Sequence, residues 1–227
     1  MIRVDVSMLI GVAVLAAAGC AQRSGHDHHH DHHHHMHHRF DDPEKWAARW
    51  NDPDRDAWQR PREVVGLLDI EPGMTVADLG TGTGYFLPHL SEAVGASGRV
   101  LALDVSKEMI DYIGSAPATS GLHKVEGRVV ASDDPGLADG SVDRILVVNT
   151  WHHIADRVPY TRRLARALAP GGAVVIVDFT LDAPEGPPQA MRLAPEQVMR
   201  ELEAGGLRPE LLKESLPRHY VVAGRGN

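Results

Sequence analysis

Residues 76–86 read VADLGTGTGYF, and the fold turns on how this stretch is read. An apolar run ends at Asp78, and three glycines then alternate with threonines. Glycine at that density marks backbone that must turn sharply or come close to something. The dinucleotide fingerprint G-x-G-x-x-G is not met. Counted from Gly80, its last glycine falls on Tyr85; counted from Gly82, it falls on Leu87. A Walker-type phosphate loop is not met either, because no Gly-Lys-Ser/Thr follows. The spacing is G-x-G-x-G, with Asp78 two residues ahead.

Downstream, from residue 71, strands and helices alternate. Met74–Leu79 reads as a buried strand and Gly82–Val94 as a helix. Arg99–Asp104 is a second strand, and Ser106 caps a helix running to about Ile113. Lys124–Val130 is a third strand. Val142–Asn149, apolar almost throughout, is a fourth strand with both faces covered. Asp156–Leu168 is a helix closed by Pro170-Gly171-Gly172, and Ala173–Phe179 is a fifth strand. Pro195–Ala204 is a helix ending at Gly205-Gly206, and short strands near 207–213 and 218–223 follow. This pattern predicts an α/β fold, a Rossmann-like, doubly wound seven-stranded sheet with helices on both faces. The glycine loop then lies at the C-terminal ends of the strands, where such sheets bind ligands.

Upstream, residues 40–70 form an N-terminal helical extension broken at Asp42-Pro43 and Asp52-Pro53 and punctuated by Trp46, Trp50 and Trp58. Arg62–Leu68 reads as an amphipathic helix within it. The tryptophans read as packing anchors, and a lid over an active site is the other use for such a segment. Residues 26–38, HDHHHDHHHHMHH, cannot build a core, so 21–39 reads as a His-rich disordered linker. Its His28, His29, His30, His32, His33, His34 and His35 could bind a divalent metal loosely; a solvated spacer is the alternative. Residues 1–20 carry an apolar run, Met8–Ala18, that ends at Gly19-Cys20. It resembles a bacterial lipoprotein signal with Cys20 as the lipidated residue, against the alternative of a buried N-terminal helix. That leader predicts a membrane-anchored or periplasmic location, or a cytoplasmic one if it is not processed. The main domain is then 71–227.

Cys20 is the sole cysteine, so neither an intramolecular disulfide nor a cysteine-cluster zinc site can form. The formal net charge of −8 disfavours a nucleic-acid partner, which needs a basic surface.

VADLGTGTGYF resembles motif I of the class I S-adenosylmethionine-dependent methyltransferases. LALDVS (101–106), SVDRILVVNTWHHI (141–154) and LAPGGAVVIVDF (168–179) resemble their later motifs in the same order. The likeness covers about residues 60–225 and is nearest to the group that includes the ubiquinone- and menaquinone-biosynthesis enzymes. It implies S-adenosyl-L-methionine as cofactor and methyl transfer in line to a small organic acceptor. Gly80, Gly82 and Gly84 would let the backbone approach the cofactor's amino-acid end. Asp78 would anchor the loop or the cofactor's ammonium. Thr81 and Thr83 would give hydroxyls or cap the following helix. Asp104 would take the ribose hydroxyls, since a carboxylate accepts from a vicinal diol. Val105 and Met109 would pack on adenine, Asp133 or Asp134 would accept its amino group, and Asn149 would lie beneath the sulfur. Tyr85 would close over the cofactor. His152 and His153 are candidates for a catalytic base or for ordering their loop. Arg157 and Tyr160 are candidates for the acceptor pocket, and residues 180–194 for a flap or a linker. A different class of reading is an envelope metal-binding lipoprotein built on a methyltransferase-like scaffold.

Overall fold

The computed structural model describes residues 42–116, 119–122 and 124–226. The leader, Cys20 and the histidines of the 26–38 tract lie outside the described residues. No helix among the described residues is long and apolar enough to cross a membrane.

The chain enters through short helices separated by prolines. Helix α1 (Pro43–Trp50) starts where Pro43 presets the first turn and the Asp42 side chain accepts from Lys45 N at 3.1 Å. A 3₁₀ turn (Pro53–Arg55) is capped in the same way by Asp52. Helices α2 (Asp56–Gln59) and α3 (Pro61–Gly66) follow, with Arg60 in the left-handed region between them. The sheet then alternates with helices: β1 (Thr75–Leu79), α4 (Leu87–Val94), β2 (Arg99–Asp104), α5 (Lys107–Ser115), β3 (Val125–Val129), β4 (Val142–Val148), α6 (Arg157–Ala167), β5 (Leu168–Phe179), α7 (Pro195–Ala204), β6 (Arg208–Leu211) and β7 (His219–Arg225).

The strand order is β3-β2-β1-β4-β5-β7-β6. The first five strands are parallel, β7 runs antiparallel to β5, and β6 runs antiparallel to β7. The order reverses between β1 and β4, the switch point at which an open α/β sheet leaves a crevice. Alternate residues of each strand supply two separate cores. Ala77, Leu79, Ile145, Val147, Val174 and Ile176 pack with Leu164 of α6 and Leu202 of α7. Val76, Val100, Leu146, Val148 and Val175 pack with Leu87, Leu90 and Val94 of α4 and with Val64 of α3. The sheet is therefore doubly wound with helices on both faces, as the sequence predicts.

Strand β5 begins at Leu168, five residues before the expected Ala173 and directly after α6. Two further boundary differences fall at the crevice. The helix expected from Gly82 begins at Leu87, because Gly82 and Gly84 hold φ of 53° and 81° and cannot continue a right-handed helix. Strand β4 stops at Val148 rather than Asn149, whose φ of 53° takes the chain out of extended geometry.

Candidate active site

Gly80 follows β1 directly, with φ +74°. A Cβ there would lie 2.3 Å from Thr150 Oγ1, so the loop leaving β1 touches the chain leaving β4 through glycine alone. Gly80 N and Thr81 N donate to Leu103 O at 2.8 and 3.0 Å, tying the loop to β2. Asp104, at the end of β2, accepts from Gly82 N at 2.8 Å through Oδ2 and from Ser106 N at 2.9 Å through Oδ1. Burial pushes its pKa up against those hydrogen bonds. Asp104 is not the cap of α5, because Ser106 Oγ accepts from Met109 N.

Asp78 is buried beneath the loop, and Thr81 Oγ1 donates to it at 2.8 Å. Burial pushes its carboxyl up to about 7, the Thr81 hydrogen bond and the more distant Arg55 working against the shift. Thr83 Oγ1 donates to Asn51 Oδ1 at 2.7 Å. Neither threonine caps α4, which has no side-chain cap.

The extension lies directly over this loop. The Trp50 ring is 3.4 Å from where a Cβ on Gly82 would sit. Arg55 lays its guanidinium on the Tyr85 ring, 3.9 Å from the centroid, and the Tyr85 hydroxyl donates to Asp56. Tyr85 therefore faces the extension. Val105 is exposed, Met109 is buried at the start of α5, and Asp133 is exposed. Asp134 is held instead by Gly136 N and by Arg163.

Past β4, Asn149 accepts from His219 Nε2 at 2.9 Å and donates to Gln59 Oε1 at 3.4 Å, which holds it in its left-handed conformation. A short turn, Trp151–His153, brings His152 Nδ1 to 2.9 and 3.0 Å from the two carboxylate oxygens of Asp178. The two side chains are 3% and 2% exposed. His153 is exposed, its ring centroid 4.2 Å from that of His152. The rings of Trp58, Phe179 and His219 cluster beside them, with centroids 4.3 to 6.4 Å apart. Burial drives the His219 pKa down to about 4, so its imidazole is neutral.

The sequence reading misses Arg55, Gln59, Asp178 and His219, and with them Asn51 and Asp56, the partners of Thr83 and Tyr85. Asp178 carries a usable signal, since it lies near the end of an apolar strand at the ligand edge, as Asp104 does. The others carry none, because nothing in the polar extension or the C-terminal strand marks Arg55, Gln59 or His219. Arg157 and Tyr160 correct the expectation placed on them. Arg157 donates to Glu201 Oε2 at 2.9 Å and to Ile154 O, joining α6 to α7, and Tyr160 is buried in the core. Residues 180–194 form a turn-rich loop in which Arg192 donates to the carbonyls of Ala183, Pro187 and Leu181. No group of three or more His, Cys, Asp or Glu that could hold a metal occurs among the described residues.

Residues 76–172 match the family described as methyltransferase domain. A crystal structure of a SAM-dependent methyltransferase from Aquifex aeolicus is 31% identical, with 81% of this chain and 98% of that chain covered and a TM-score of 0.75. The chain belongs to the S-adenosylmethionine-dependent methyltransferases. Among curated relatives, the nocamycin O-methyltransferase of Saccharothrix syringae is 28% identical over 72% of this methyltransferase and 56% of its own length. The ubiquinone/menaquinone biosynthesis C-methyltransferase of Geotalea daltonii is 28% identical over 55% and 52%. The methyltransferase spans from about a third to just over half the length of the first curated relatives it matches. The family and fold imply S-adenosylmethionine as cofactor, and the residues present fit it. Asp104 offers a carboxylate at the end of β2, beside the glycine loop, and buried nitrogen atoms of Arg55, Gln59 and His219 lack partners.

Proposed function

We propose that this methyltransferase methylates a hydroxyl group on a small, ring-bearing organic acceptor, with His152 as the base. The observation that carries this reading is the buried His152–Asp178 pair. When bound, S-adenosylmethionine supplies an electrophilic methyl group on a sulfonium, open to in-line displacement. The carboxylate of Asp178 accepts the Nδ1–H of His152, which fixes the tautomer and leaves Nε2 with a lone pair. Nε2 takes the proton of the acceptor hydroxyl, and the carboxylate steadies the imidazolium that forms. The Trp58, Phe179 and His219 rings offer an apolar wall for a planar acceptor. The nocamycin O-methyltransferase relative agrees with a hydroxyl acceptor.

The test is methyl transfer to a panel of small hydroxylated ring compounds, with products resolved by mass spectrometry and NMR as O-methyl or C-methyl. His152→Ala and Asp178→Asn should each lower kcat about 10²- to 10⁴-fold and leave S-adenosylhomocysteine affinity unchanged. Undiminished kcat in both variants, or products methylated on carbon alone, would overturn the assignment. We further propose, from residues 1–20, that Cys20 anchors the chain at a membrane, with the histidine tract between anchor and domain able to take a divalent metal. Cys20→Ser should abolish incorporation of labelled palmitate; incorporation that survives the substitution, or none in the unaltered chain, would refute Cys20 as the anchor.

A further inference from the structure

Arg55 and Gln59 are short of hydrogen-bond partners. A guanidinium carries five N–H donors. Arg55 Nη1 donates to Trp50 O at 2.7 Å and Nη2 to Gln59 Oε1 at 3.1 Å, while Nε is sealed from solvent with no partner. None of the ion pairs among the described residues involves Arg55. Its nearest faces are the rings of Tyr85, Trp58 and Phe86. Asp56 is close in sequence, but its Oδ1 is taken by the Tyr85 hydroxyl. Gln59 is fully buried. Its Oε1 accepts from Arg55 and from Asn149, so the group left without a partner is the Nε2 amide donor. A sheltered cation without a counter-ion, bonded to an amide without an acceptor, is costly. Burial accordingly pulls the Arg55 pKa down to about 10. One carboxylate between them would satisfy both.

We propose that Arg55 and Gln59 together bind the α-carboxylate at the amino-acid end of S-adenosylmethionine. This rests on the methyltransferase reading. Three placements favour that carboxylate over one carried by the acceptor. Arg55 lies on Tyr85, which closes the glycine loop. Gln59 is bonded to Asn149, at the switch point where β4 ends. Asp78 sits under the same loop, near enough to act on Arg55 electrostatically yet not paired with it. A zwitterion fits such a separated pair of charges, its ammonium toward Asp78 and its carboxylate toward Arg55 and Gln59. The extension thereby becomes part of the cofactor site and selects ligands that keep the carboxylate.

The full chain is titrated by calorimetry with S-adenosylhomocysteine and with its decarboxylated analogue. The unaltered protein should prefer S-adenosylhomocysteine by roughly tenfold to a hundredfold, as expected for charge-assisted hydrogen bonds. Arg55→Met and Gln59→Leu should each erase most of that preference by weakening S-adenosylhomocysteine alone, and Arg55→Lys should restore part of it. Equal weakening of both ligands would mean that the two residues only support the loop, and would overturn the proposal. So would unchanged affinity for both with a raised KM for the acceptor, which would give the anion to the acceptor. If the unaltered protein binds neither ligand, the methyltransferase reading itself fails.

Discussion

Asp78 carries a pH dependence whose sign follows from its burial. An unfolded aspartate titrates near 4, and the folded carboxyl is pushed up to about 7. Between those values the folded state holds the extra proton, so stability without ligand falls as pH rises from about 4 to about 7. A ligand ammonium needs the ionised carboxylate, so binding follows the opposite course. The dissociation constant for S-adenosylhomocysteine should fall about tenfold per pH unit approaching pH 7 from below, then level off. Calorimetry between pH 5.5 and 8 checks this, and Asp78→Asn should flatten the profile; a profile equally steep in that variant would remove Asp78 from the ammonium site. Asp78 and Asp104 are legible in sequence because each has a partner close in the chain, Thr81 three residues from Asp78 and Ser106 two from Asp104, and Gly80 because the glycine spacing is itself local. Gln59 was not, because Asn149 is 90 residues away and no local pattern joins them.

Among the elements, α3 depends on a side chain from β4. Arg144 is buried, and its guanidinium donates to Leu68 O at 2.6 Å, to Asp69 O at 3.1 Å and to Asp143 O at 2.9 Å. The first two are carbonyls just beyond the end of α3, which a helix of six residues cannot satisfy internally. Arg144→Met keeps the apolar stem and strands those carbonyls. It should cost roughly 1.5–3 kcal/mol, read as a lower melting temperature with an unchanged far-UV spectrum. A melting temperature equal to that of the parent would show that water replaces the guanidinium. The strands and the long helices were legible from their apolar period, as Val142–Val148 and Pro195–Ala204 show. The late start of α4 was not, because it depends on the φ of Gly82 and Gly84, which their identity permits but does not dictate.

At the scale of the whole domain, the parallel strands place the glycine loop, Asp104 and Asn149 at one edge of the sheet, and the two cores hold that edge rigid from both sides. The extension is the exception: α1 and α2 add only Ala47 and Gln59 to the buried residues, and they hold to the site through polar contacts at Thr83, Tyr85 and Asn149. Segments with so little apolar burial open locally before the core does. S-adenosylhomocysteine should therefore slow amide hydrogen exchange across residues 43–59 far more than in β4 and β5. No added protection across the extension would mean that it does not touch the ligand. The doubly wound class of the sheet is open to sequence reasoning as soon as the alternation is seen, whereas the placing of the extension over the crevice is not, since it rests on side-chain pairings that no periodicity encodes.

The same pairings set an order of maturation. Residues 43–66 leave the ribosome early, yet Glu63 pairs with Ser215, 152 residues later, and Asn149 waits for His219, 70 residues later. At about 5–20 residues per second, Glu63 waits roughly eight to thirty seconds for Ser215. The crevice is therefore complete only once β7 has slotted between β5 and β6.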